Sequence, residues 1–319
     1  MTKLTYSAIA VLASALVAPV ALAHGSQLPM SQQTQAATVT TTDLGDGLYM
    51  LQGQGGNIGV LAGEDGVFVI DSQYAFMAPA ILAAIDEIAG ERPRYVLNTH
   101  WHGDHVGGNA ALHEAGATII AHDNVRARVS VDSVREIMGR RDEIPAAPPQ
   151  AWPVITFNDE MTLYLNGQTI SLKHAANGHT DGDTFIKFEE ANVIHTGDLM
   201  FSGMFPFVDI TSGGSFDGYL AASRTMAAAT NADTRIIPGH GPLSSPADLQ
   251  TSIAMIEDSV EAVRQSSANG ESIDEVLEAN PLEPWDSEWS WQFITTEVFT
   301  RLIYADLQSQ ADVSEPTAE

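Results

Sequence analysis

The stretch that most constrains this chain is Asn98-Thr99-His100-Trp101-His102-Gly103-Asp104-His105. Three of the ten histidines and one aspartate fall within six residues, in the pattern H-x-H-x-D-H. Core packing has no use for such a run, and solvated surface histidines have no reason to be so spaced. Imidazole nitrogens and a carboxylate oxygen are the donors zinc favours, and three or four of them fill a tetrahedral shell. The apolar segment Tyr95-Val96-Leu97 precedes the run, and Gly103, Gly107 and Gly108 punctuate it. The pattern therefore predicts a strand ending in a tight loop that gathers several donors around one point.

Composition narrows what such a centre can serve. Acidic groups outnumber basic ones by 41 to 14, a formal charge of −27 over 319 residues. So negative a surface repels phosphate backbones and anionic headgroups, which argues against nucleic-acid and membrane-surface partners and leaves a small-molecule substrate. There is no cysteine, so disulfides, thiolate ligands and a cysteine nucleophile are all excluded. An apolar fraction of 44% is enough for a sizeable core.

Residues 1–23 start with Lys3, run apolar from Ile9 to Val20 and end in Ala21-Leu22-Ala23. That is the layout of a secretory signal peptide, and it predicts a periplasmic or secreted product with no membrane span after cleavage. Residues 24–37 read as a flexible Ser/Gln/Thr leader. Strands are predicted at Leu48–Leu51, Ile58–Leu61, Val67–Ile70, Tyr95–Asn98 and Thr118–Ala121, with a helix around Ile81–Ile88. Residues 124–142 carry five arginines and read as one helix, whose charge suits a solvated face first and an anion-attracting flank second. The chain continues with strands at Val154–Phe157, Met161–Leu165, Thr169–Lys173, Thr184–Phe188, Val193–His195 and Arg235–Ile237. Helices are expected at Phe216–Ala229, Leu249–Val263 and Phe293–Leu307, and residues 309–319 form a polar, disordered tail. The order indicates layered α/β architecture.

Three later segments repeat the character of the opening motif: Asn177-Gly178-His179, Thr196-Gly197-Asp198 and Pro238-Gly239-His240. Each is a short apolar strand, a glycine-bearing turn and a donor. In this order the set resembles the metallo-β-lactamase superfamily over most of residues 40–245. The resemblance implies an αββα four-layer sandwich in residues 38–308. It assigns His100, His102 and His179 to one metal, Asp104, His105 and His240 to a second, and Asp198 to a bridge between them. It also implies two zinc ions per chain, with iron or manganese as other occupants of the same donors. A metal-bound hydroxide would then attack an amide, lactam, lactone or ester carbonyl, with Asp104 shuttling a proton.

The β-lactamases with a cysteine ligand place it where this chain has Asp198, and the all-histidine type lacks that carboxylate. An aspartate here is more like the hydroxyacylglutathione-hydrolase, lactonase and nuclease branches, so β-lactams are one candidate substrate among several. A thioester hydrolase, a mononuclear iron persulfide dioxygenase and a non-catalytic metal-binding protein are the alternatives. His113, His122, His174 and His195 read as structural. Asp183 is a candidate second partner for a ligand imidazole. Met200–Phe207 suits either a pocket wall or core, and Trp285, Trp289 and Trp291 suit core cover.

Overall fold

The structure, a computed structural model, describes residues 37–137 and 140–314. The expected signal segment and residues 24–36 of the leader lie outside the described residues. In chain order come β1 (Thr40–Asp43), β2 (Leu48–Gln52), β3 (Ile58–Leu61), β4 (Val67–Ile70), α1 (Ala78–Ala89), β5 (Pro93–Asn98), α2 (Gly103–Val106), α3 (Asn109–Glu114), β6 (Thr118–His122) and α4 (Asp123–Val129). There follow β7 (Ser133–Ile137), β8 (Arg140–Ile144), β9 (Ile155–Phe157), β10 (Glu160–Leu165), β11 (Gln168–His174), β12 (Thr184–Phe188) and β13 (Val193–His195). The chain closes with α5 (Phe216–Ala228), β14 (Arg235–Ile237), α6 (Pro246–Ala268), α7 (Ile273–Ala279), α8 (Glu283–Trp289) and α9 (Thr296–Ser314).

β1–β6 and β9 form one sheet in the order β1-β2-β3-β4-β5-β6-β9, and β10–β14 form a second in sequence order. The alternation of side chains along each strand builds the layers. In β4, Phe68 and Ile70 point into the layer between the sheets, where they meet Leu97, Ile120, Leu172, Ile186 and Ile237. Val67 and Val69 point the other way, onto Met77, Ile81, Ile85 and Leu112 from the flanking helices. In the second sheet Ile194 and Ile236 face outward, onto α5, α6 and α9. The central strands β3, β4, β12 and β13 are thus covered on both faces, which is why they read as nearly continuous apolar runs, whereas β10 is exposed along one face. The four layers are helix, sheet, sheet, helix, as the resemblance implied.

Two stretches differ from expectation. The single helix over 124–142 does not form: α4 ends at Val129, and β7 and β8 pair as an antiparallel hairpin, Ser133 opposite Ile144 and Ile137 opposite Arg140. β-Branched Val131 and Val134 favour extended backbone, and the Ser130–Asp132 turn lets the Asp132 carboxylate accept from the Ala146 amide at 2.8 Å. At the C-terminus α9 runs to Ser314, past the expected limit at Leu307, and residues 315–319 lie outside the described residues. No helix among the described residues is long and apolar enough to cross a membrane.

The topology positions the site. β4 and β5 run parallel, as do β13 and β14, and β11 shares the direction of β13 because both are antiparallel to β12. Loops leaving the C-terminal ends of these strands open at one edge of the sandwich, the usual place for a site in an α/β sheet.

Candidate metal centre

All seven donors picked out in the sequence converge at that edge. The loop after β5 and the first turn of α2 supply His100, His102, Asp104 and His105, and the β11–β12 loop supplies His179. The short 3₁₀ turn Gly197–Leu199 after β13 supplies Asp198, and the loop after β14 supplies His240. They fall into two clusters, His100/His102/His179/Asp198 and Asp104/His105/His240, each with its donor atoms within 4.8 Å of one another. Asp198 stands between them. Its Oδ2 lies 3.7 Å from His100 Nε2 and 3.5 Å from His179 Nε2. Its Oδ1 lies 3.0 Å from His105 Nε2 and 3.4 Å from His240 Nε2. Asp104 Oδ2 closes the second cluster, 3.6 Å from His105 Nε2 and 3.3 Å from His240 Nε2.

Close approach of backbone makes this possible. A β-carbon on Gly239 would sit 2.1 Å from Asp198 Oδ1, and one on Gly56 would sit 2.1 Å from the His105 ring. The Gly56 loop is tied across the sheets, since the Asn57 amide donates to Gly239 O at 2.7 Å and its side chain to Pro238 O at 2.8 Å.

The far nitrogen of each first-cluster imidazole fixes its tautomer. His102 Nε2 donates to Asp209 Oδ2 at 2.9 Å, and His179 Nδ1 to the Phe207 carbonyl at 2.6 Å. Thr99 Oγ1 donates to Asp71 Oδ2 at 2.8 Å, and so accepts from His100 Nδ1 at 3.0 Å. The three inward nitrogens therefore all carry lone pairs. His102 Nδ1 nevertheless lies 3.1 Å from His100 Nε2 and 2.8 Å from His179 Nε2. Lone pairs so close repel unless a cation lies among them. In the second cluster the facing atoms His105 Nε2 and Asp198 Oδ1 are buried and make no well-directed hydrogen bond. The donor set fits a metal in both halves.

Electrostatics divide the two halves. Burial drives His100, His102 and His179 below the ordinary imidazole range, so all three are neutral at pH 7. Burial also disfavours charge on His105 and His240, but the surrounding carboxylates outweigh it. Asp198, Asp104 and Asp71 hold His105 well above its usual value, and Asp198 and Asp104 raise His240 to about 9. Burial would raise Asp104 and Asp198 in turn, yet His105 and His240 keep both carboxyls well below the usual carboxylate range.

Several residues around the donors gave little signal in the sequence. Asp71, at the end of β4 with φ +65°, accepts from the Thr99 amide at 2.7 Å and from His105 Nδ1 at 2.7 Å. Its clue was position, an aspartate directly after a buried strand. Asp209 lies in an apolar loop and carried no clue. Asp183 touches no ligand imidazole. It accepts from the Thr180 amide at 2.8 Å and hydroxyl at 2.6 Å, bracing the His179 loop, and burial raises its pKa to about 7. Met200 and Phe205 are core, whereas Phe201 and Phe207 line the metal cleft, as does Trp291, which had read as core cover. His195 is buried against Asn57 O at 3.2 Å, and His122 and His174 stack with centroids 3.8 Å apart, away from the donors.

The sequence profile of the metallo-β-lactamase superfamily matches residues 51–240, the span that carries every donor. The chain belongs to the metallo-β-lactamase superfamily. A hydroxyacylglutathione hydrolase of Anaeromyxobacter dehalogenans is 31% identical over 124 residues, 39% of each chain. An acyl-coenzyme A thioesterase, MBLAC2, of Gallus gallus is 25% identical over 222 residues, 62% of this chain and 78% of the relative. The chain thus spans about two fifths of the first relative's length and most of the second's. Among solved structures, a metallo-β-lactamase from Pontibacter korlensis superposes with TM-score 0.57 at 14% identity, covering 69% of this chain and all of that one. The DIM-1 metallo-β-lactamase superposes with TM-score 0.55 at 16% identity, covering 69% and 97%. At such identities these two establish the shared fold.

Proposed function

We propose that this chain is an exported metal-dependent hydrolase that holds two zinc ions and cleaves the carbonyl bond of a small amide, lactam, lactone or ester, β-lactams being candidates. The observation that carries the reading is the placement of Asp198, one carboxylate oxygen facing each cluster. A carboxylate shared between two dications offsets more of their charge than neutral imidazoles can. Zinc bound there supplies water activation at neutral pH and polarisation of the carbonyl. His100, His102 and His179 would hold one ion, Asp104, His105 and His240 the other, with Asp198 between.

Asp104 does the proton work in this reading. Its carboxyl stays ionised, is about one-fifth exposed and lines the cleft, so it can accept a proton from water and return it to the leaving group. The cleft, about 280 Å³, is walled by Tyr74, Phe201, Phe207, Trp291 and Phe293. Export rests on the apolar segment and Ala21-Leu22-Ala23 at the start of the chain.

A second reading, thioester hydrolysis, is favoured by the names of the two sequence relatives, one a glutathione-linked hydrolase and the other an acyl-coenzyme A thioesterase. Elemental analysis together with turnover of a chromogenic cephalosporin, a lactone, an ester and a thioester separates the readings. Two zinc per chain and loss of turnover in Asp104→Asn are expected. A single iron per chain would point to the persulfide dioxygenase alternative and sink the dinuclear zinc reading. Cell fractionation checks export, and a cytoplasmic product would remove that part.

A further inference from the structure

A second cavity opens off the metal cleft beneath the β7–β8 hairpin. It measures about 560 Å³, and Tyr74, His102, Asp104 and Arg135 line both spaces, so the two adjoin at the metal centre. Its walls are mostly apolar: Trp101, Val106, Ala110, Val129, Ile144 and Ala147. A cavity of this size and lining suits an apolar ligand group.

The walls are also braced. The Ala147 amide donates to Val129 O at 2.8 Å, and Trp152 Nε1 donates to Ala147 O at 2.8 Å. Two guanidiniums stand on this wall: Arg128 is taken up by Asp181 through two 2.7 Å hydrogen bonds and lies over the Trp101 ring, and Arg135, on the side shared with the metal cleft, lies 3.6 Å from Asp142 Oδ2. The shape is therefore set before any ligand arrives. A preformed, largely apolar space beside the reacting centre lowers the ordering cost of an apolar group.

We propose that this cavity receives an apolar arm of the substrate, so that the enzyme acts on carbonyl compounds bearing a sizeable alkyl or aryl group. The hairpin that replaces the expected helix is then the element that sets specificity. The proposal rests on the hydrolase reading above for its catalytic consequence, but the cavity's ligand preference can be tested apart from it.

Kinetics of the zinc-loaded enzyme are measured on p-nitrophenyl esters from acetate to decanoate, and on acetate esters of progressively longer alcohols. In at least one series kcat/KM is expected to rise roughly fourfold per methylene while the arm fills the cavity. Ala147→Trp and Ala110→Phe, which fill that space, should each lower the long-to-short ratio tenfold or more. Calorimetry with decanoate and acetate gives a readout without turnover, and decanoate is expected to bind at least tenfold more tightly. If no ester turns over, the hydrolase reading suffers while calorimetry still judges the cavity. Should the variants fail to fold, the wild-type series and calorimetry decide. Flat chain-length profiles with equal binding of the two acids would overturn the proposal.

Discussion

The two halves of the metal centre are built on different physical terms. His100, His102 and His179 are buried, neutral and each oriented by a fixed acceptor, so their lone pairs already point at one spot. Asp104 and His240 are about one-fifth exposed, and His105 and His240 hold protons against the surrounding carboxylates. The first half is ready to coordinate, while the second must release protons to do so. The difference comes from the balance of burial and charge: burial outweighs the carboxylates at His100, His102 and His179, whereas Asp198, Asp104 and Asp71 outweigh it at His105, and Asp198 and Asp104 at His240.

Removing Asp198 should erase the contrast. Asp198→Ala takes a donor from both clusters, and a fall in bound zinc together with a loss of about a hundredfold or more in kcat/KM is expected. Retention of two tight zinc ions would contradict the bridging placement.

Breaking one half alone comes next. Asp209→Ala frees the His102 ring and should weaken the first ion by about 10- to 100-fold, with little change in the second. Asp71→Ala should weaken both, because Asp71 holds His105 directly and His100 through Thr99. Competition titration against a chromophoric chelator resolves the two equivalents, and equal effects of the two variants would blur the division.

pH should sharpen the contrast. Zinc at the second cluster displaces the protons of His240, whose pKa is about 9, and of His105, held well above its usual value. Lowering the pH from 8 to 7 should therefore weaken that equivalent by roughly tenfold for His240 and by a further factor, up to about tenfold, for His105. The first cluster, already neutral, should change little over the same step. A first equivalent just as sensitive would show that its imidazoles are not held neutral.

The smallest effect is on stability of the zinc-stripped protein. Protonated His240 is favoured by folding, so its contribution is fully present below about pH 6.5 and is lost as pH rises through about 9. That contribution is up to about 3 kcal/mol, and Tm of stripped protein should fall by several degrees between pH 7 and 9.5. Zinc-loaded protein should show a smaller fall, and a stripped protein indifferent to pH would argue against the His240–carboxylate contacts.

The sequence by itself determined most of the core strands, the longer helices and the seven candidate donors, but not the β7–β8 hairpin, the short helices α2 and α3 or the pair α7 and α8. Strands such as Ile58–Leu61, Val67–Ile70 and Thr184–Phe188 are apolar runs with clear turn punctuation, and each donor follows such a strand. These are local signals, and sequence carries them well. Only the tertiary structure decided what stands behind and beside the donors. Asp71 and Asp209 act on imidazoles 34 and 107 residues away. Trp291 reaches the cleft from beyond the matched span. The Arg-rich stretch has helical composition in its favour, yet pairing of Ser133–Ile137 with Arg140–Ile144 and docking against α4 prevail over that weak local preference. Hydrogen bonds between residues distant in the chain leave no periodicity to read. The opening histidines announce a metal, and the fold assigns them to two unlike halves.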